Sequence, residues 1–100
     1  LKRKRDFIFI DDVVECFFRS STFNSPLNLV INVGTGISTE VIKLIDMILK
    51  KIPGTKYYLS KPTKGDQNLI VGDNTLLKSK LKIKKFINLE QGLELFISSL

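Results

Sequence analysis

Histidine is absent from these 100 residues, and cysteine occurs once, at Cys16. Without histidine the commonest general base and metal ligand is missing, and a single cysteine permits neither an internal disulfide nor a cysteine-built metal site. Most hydrolase triads are thereby excluded. No apolar run approaches the ~20 residues that span a bilayer. The basic start, Lys2-Arg3-Lys4-Arg5, is not followed by the apolar stretch and cleavage site of a secretory signal. A soluble, cytoplasmic chain with no membrane partner is the expectation. Internal repeats and low-complexity tracts are missing too. Acidic residues are the minority, 10 against 16 Lys and Arg, giving a net charge of +6. That balance suits a polyanionic partner, a nucleic acid or a diphosphate ligand, and charge alone does not choose between them.

What is present is a globular apolar fraction of 43%, in a length that fits one small domain or a piece of a larger one. The chain is organised around residues 29–49. Leu29, Val30, Ile31 and Val33 form a short apolar run rich in β-branched residues, which predicts a strand covered on both faces. Gly34 and Gly36 flank Thr35 and let the backbone turn. Ser38 or Thr39 is the expected cap of a helix carrying Val41, Leu44, Ile45, Ile48 and Ile52 on one stripe, ended by Pro53-Gly54. The pattern predicts a strand-to-helix unit of an α/β protein.

Elsewhere, Phe7-Ile8-Phe9-Ile10 reads as a buried strand, and Asp11 or Asp12 as the cap of a helix with Val13, Val14, Phe17 and Phe18 on its apolar side. Cys16 falls among those apolar positions, as a packing residue. Residues 20–28 form a surface connection. Residues 55–59 have the composition of a third strand, residues 60–68 form a polar loop, and residues 69–71 a very short strand. Asp73 or Asn74 caps a helix running to about Leu81, and Asn88, with Gln91 reciprocating, opens a last helix containing Gly92. Asp11 and Asp12 read as caps rather than catalytic carboxylates, and Lys78, Lys80, Lys82, Lys84 and Lys85 as a solvated surface.

Three segments in this order resemble the C-terminal part of the NAD-dependent sugar-nucleotide epimerases and dehydratases, the extended branch of the short-chain dehydrogenase/reductase family. They are Arg5-Asp6-Phe7-Ile8-Phe9-Ile10-Asp11-Asp12-Val13-Val14; Asn32-Val33-Gly34-Thr35-Gly36 with its helix; and Gly65-Asp66 through Asp73 to Leu89-Glu90-Gln91-Gly92-Leu93. The resemblance implies an α/β fold, the C-terminal portion of an extended Rossmann-type epimerase with strand-helix units and a small substrate-binding lobe. Residues 1–100 would then be the substrate-binding portion, with the N-terminal NAD-binding domain absent. In such an enzyme a hydride passes between the sugar and NAD. The family's glycine-rich NAD turn and Tyr-x-x-x-Lys pair are not here, so no catalytic residue and no bound cofactor are expected in this chain. Tyr57 has Lys61 four residues on, but in a predicted strand running into a proline loop those positions do not share the helical face on which such a pair acts.

The resemblance implies further that Arg5 contacts the diphosphate of a sugar nucleotide and that Asp66 bonds a ribose hydroxyl. Where relatives carry a second phosphate-binding arginine this chain has Thr63, with Lys64 the nearest cation, so the grip would be rearranged around Lys64 or Lys61. Arg5 and Asp6 can equally be a surface ion pair, and Asp66 an ordinary turn residue. Two other readings stand beside this one: a small basic nucleic-acid-binding module, which lacks the interleaved aromatic and basic residues of single-strand binders, and a truncated remnant with a scaffolding role. Unpaired strands and helix faces predict a homodimer or other self-association.

Overall fold

A computed structural model describes residues 2–23, 28–61 and 64–100. Residues 24–27 of the expected connection, and Pro62 and Thr63 of the polar loop, lie outside the described residues. In chain order the elements are β1 (Lys4–Arg5), α1 (Ile10–Thr22), β2 (Thr39–Glu40), α2 (Val41–Lys51), α3 (Thr75–Lys80) and α4 (Leu89–Ser98), a mixed α/β arrangement. The four helices fall where apolar periodicity put them. The strands do not.

β1 pairs antiparallel with β2, Lys4 opposite Glu40 and Arg5 opposite Thr39, and on its other side bridges Leu69 in parallel. The Lys4 amide donates to the Asn68 carbonyl at 2.8 Å, and the Ile70 amide to the Lys4 carbonyl at 3.0 Å. The expected strands lie elsewhere: residues 7–9, 29–33 and 55–59 pair with no strand among the described residues, and of residues 69–71 only Leu69 bridges. The reason is physical: a fully apolar strand needs a ladder on each side, and none is offered here. Val30 is consequently 86% exposed and Tyr58 91%.

Helix entries depart from expectation for a related reason. α2 is capped by neither Ser38 nor Thr39, because Thr39 and Glu40 are drawn into β2. Its first amide, from Val41, is instead satisfied by the Arg3 carbonyl at 2.9 Å. α1 starts behind Phe9 with no side-chain cap, and Asp11 and Asp12 fall inside its first turn, where their charge suits the helix dipole. Asp12 accepts from the Ile87 amide at 2.9 Å and ties α1 to the approach of α4. Asn88 caps α4 as expected, accepting from the Gln91 amide at 2.8 Å. Gly92 in that helix lets Phe9 sit close: a Cβ there would lie 3.2 Å from the Phe9 ring.

The buried core is small: Cys16 of α1, Leu77 of α3, then Leu81 and Ile83. Arg19 closes over it, donating from Nη1 to the carbonyls of Leu81 at 3.1 Å and Lys82 at 2.8 Å while Nε holds Glu15 at 2.7 Å. The end of α3 is thereby satisfied from α1. Burial, then the Asp12 and Glu15 carboxylates, push the Cys16 thiol above its ordinary value against the pull of Arg19, so it packs as a thiol and not a nucleophile. The lysines from Lys78 to Lys85 are exposed.

Little surface is buried overall. The accessible area is 7954 Å² for 11.4 kDa, against about 5,800 Å² for a self-contained domain of that mass. The radius of gyration is 16.0 Å, against about 13 Å for a compact domain of this length. Phe17 and Phe18 of α1 are 71% and 65% exposed, on the side that periodicity assigned to a core. No helix among the described residues is long and apolar enough to cross a membrane.

Candidate functional site

Arg5 and Asp66, 61 positions apart, meet directly: Arg5 Nη2 donates to Asp66 Oδ1 at 2.8 Å. The second carboxylate oxygen, Oδ2, accepts from Nη1 of Arg3. Extended backbone explains the convergence. Positions two apart on extended backbone share a face, so Arg3, just before β1, and Arg5, at its end, reach the same side, with the more exposed Lys4 between them. The peptide beneath them is held from both flanks, by β2 with the α2 amide and by residues 68–70.

All three side chains are partly exposed, 28% for Arg3, 22% for Arg5 and 32% for Asp66. Ion pairs so open to solvent contribute about 0.2–1 kcal/mol each, so the cluster is a weak source of stability. Its composition matters more. Among the described residues, two guanidiniums against one carboxylate leave an excess positive charge, with donors to spare in both forks. Lys64 stands exposed in the turn before Gly65, which takes φ +81°, and Thr63 lies outside the described residues.

Next to Arg5, the Asp6 carboxylate does not pair with it. Oδ1 accepts from the Thr35 amide at 3.1 Å and the Thr35 hydroxyl at 2.5 Å. Oδ2 accepts from the amides of Gly36 and Gly72, each at 3.0 Å. Partial burial by itself raises the carboxyl, but the Thr35 hydroxyl and the amides of Gly72, Gly36 and Thr35 outweigh it and hold Asp6 below the ordinary carboxylate value. Gly36 sits at φ +78°, and Asn74 steadies the turn by donating to the Gly34 carbonyl at 3.2 Å. Asp6 therefore fixes the segment that carries Arg5 against the Gly34–Gly36 turn and the backbone at Gly72.

This arrangement bears on NAD. A dinucleotide diphosphate is cradled by free amides of a glycine turn at a helix start. Here the Thr35 and Gly36 amides already hold Asp6, and the Val41 amide holds Arg3. The Gly34-Thr35-Gly36 turn does not fit the cofactor. No group of three or more metal-capable side chains occurs among the described residues.

Sequence reasoning missed Arg3, which is concealed in a run of four basic residues; the alternation of a strand through Arg5 was the available signal. It also treated Asp6 as a possible partner of Arg5, where the real partners are the Thr35 hydroxyl and the amides of Thr35, Gly36 and Gly72.

No protein-family model matches the sequence, and no curated protein matches it. Solved structures do. TunA, an NAD-dependent NDP-hexosamine 5,6-dehydratase involved in tunicamycin biosynthesis, is 26% identical with a TM-score of 0.83, over 97% of this chain and 31% of that one. MoeE5, solved in complex with UDP-glucuronic acid and NAD, is 25% identical with a TM-score of 0.82, over 99% of this chain and 35% of its own. The UDP-N-acetylglucosamine 4-epimerase from Methanobrevibacter ruminantium M1, in complex with UDP-N-acetylmuramic acid, is 25% identical with a TM-score of 0.73, over 99% and 33% respectively. By fold, this chain is a partial counterpart of the NAD-dependent sugar-nucleotide dehydratases and epimerases of the extended short-chain dehydrogenase/reductase family, spanning about a third of their length.

Proposed function

We propose that the chain is the sugar-nucleotide-binding, C-terminal portion of an NAD-dependent epimerase or dehydratase, with Arg5 on the diphosphate and Asp66 on a ribose hydroxyl. The observation that carries this reading is the convergence of Arg5 and Asp66 on one exposed, cationic cluster. An arginine fork matches phosphate oxygens, and an adjacent carboxylate offers acceptors to a hydroxyl. The UDP-sugars held by MoeE5 and the Methanobrevibacter epimerase suggest the ligand class. The contribution of this portion is to bind and orient the nucleotide, so that a sugar attached to it is held in one place.

NAD and the groups that act on the sugar belong, on this reading, to an NAD-binding portion outside these residues. The engaged amides of the Gly34 turn support that division. So does the accessible surface: Phe17, Phe18 and Val30 are the kind of apolar area that another domain covers.

Calorimetric titration of the whole polypeptide with UDP-glucuronic acid and UDP-N-acetylglucosamine tests the assignment. Arg5→Ala and Asp66→Ala are each expected to weaken binding by about tenfold or more. Unchanged affinity in both variants would remove it.

A further inference from the structure

We infer that Arg3 is the second cation of the nucleotide site, forming with Arg5 a two-pronged clamp for a diphosphate that Asp66 holds open. This rests on the nucleotide-binding reading above and adds a residue to it. Three observations converge. Arg3, just before β1, and Arg5, at its end, both donate to one carboxylate, each to a different oxygen of Asp66. Both stay partly exposed, at 28% and 22%, so a ligand can reach them. Their backbone is also pinned, since the Arg3 carbonyl accepts the Val41 amide while Lys4 is held by Asn68 and Ile70.

Charge and donor counting then point to the ligand. Two guanidiniums side by side repel, and one carboxylate neutralises only one of them. Each guanidinium carries five N–H donors. Arg3 directs one nitrogen to Asp66; Arg5 directs one to Asp66 and one to the Lys4 carbonyl at 2.8 Å. The remaining donors match a group that brings two negative charges a few ångströms apart, which a diphosphate does and a monoanionic carboxylate does not. Lys64 presents a single point charge from an exposed turn, so the site gains its second fork from Arg3 instead.

The test is calorimetric titration of the whole polypeptide with UDP, GDP, ADP, dTDP and CDP, and with the matching nucleosides, for the wild type and the variants Arg3→Ala, Arg3→Gln, Arg3→Lys and Arg5→Ala. Arg3→Gln keeps a hydrogen-bond donor toward Asp66 while removing the charge, so it guards against a mere loss of folding. For the best diphosphate, Arg3→Ala and Arg3→Gln are expected to weaken binding about tenfold or more, with Arg3→Lys recovering part of it. Nucleoside affinity should stay the same, and Lys78→Ala on α3 should leave diphosphate affinity within about twofold, as a distant surface charge does. If Arg5→Ala weakens binding and both Arg3→Ala and Arg3→Gln do not, the clamp is wrong and the nucleotide site stands. If no diphosphate binds, or Arg5→Ala is as silent as Arg3→Ala, both fail.

Discussion

The Gly72 amide donates to Asp6 Oδ2 at 3.0 Å across 66 positions of sequence, and the same oxygen takes the Gly36 amide at 3.0 Å. One carboxylate thus joins the segment carrying Arg3 and Arg5 to the Gly36 turn and to the backbone at Gly72. Asp6→Asn sets an amide nitrogen against backbone donors that need an acceptor. We expect a loss of about 1–3 kcal/mol, the cost of an unsatisfied partly buried group. A fall in the urea midpoint with an unchanged slope is the measurement.

Asp6 also sets a pH dependence. Its native value lies below the ordinary 3.8, so the unfolded chain takes up a proton first on acidification. The stability that Asp6 supplies is fully present above the unfolded value and is lost as pH falls through the native one. The gap in urea midpoint between wild type and Asp6→Asn should therefore hold steady from neutral pH to about 5 and narrow below 3.8. A gap that widens on acidification contradicts this.

Gly34 packs directly against Gly72. A Cβ there would fall 2.8 Å from Asp6 Oδ2 and 3.0 Å from the Gly72 Cα, so backbone has to move. Gly34→Ala is expected to cost about 1–3 kcal/mol, as overpacking does. Because Gly72→Ala meets the same crowding from the other side, at 3.0 Å from the Gly34 Cα, the double variant should lose less than the two single losses added together. Thermal or urea unfolding of the three variants measures it.

Helices were legible in the sequence and strands were not. Apolar spacing located α1, α2, α3 and α4, and Asn88 with Gln91 marked the start of α4 by a local hydrogen bond. The expected strands at residues 7–10 and 29–33 were apolar runs, and that at 55–59 rested on β-forming composition, but their pairing partners must come from elsewhere, and pairing is a non-local property. The real strands, Lys4–Arg5 and Thr39–Glu40, are two polar residues each, with no apolar pattern to mark them. Of the cluster, Arg5 and Asp66 were found through motif order, whereas Arg3 needed the strand that the sequence disguised. Asp6 needed knowledge of which turns fold back upon it.

The exposed apolar faces carry their own consequence. With Phe17 at 71%, Phe18 at 65% and Val30 at 86% exposure, the isolated chain is expected to self-associate or to bind a hydrophobic dye strongly. Phe17→Lys should lower both signals in sedimentation velocity and dye fluorescence. A wild-type chain that sediments as a clean monomer and unfolds cooperatively contradicts this.

The most direct test of the account is a crystal structure of the whole polypeptide with a bound UDP-sugar. The expected result has the diphosphate within hydrogen-bonding distance of the Arg5 and Arg3 guanidiniums and a ribose hydroxyl on Asp66. A nucleotide bound elsewhere, with these three side chains still paired only to one another, would contradict it.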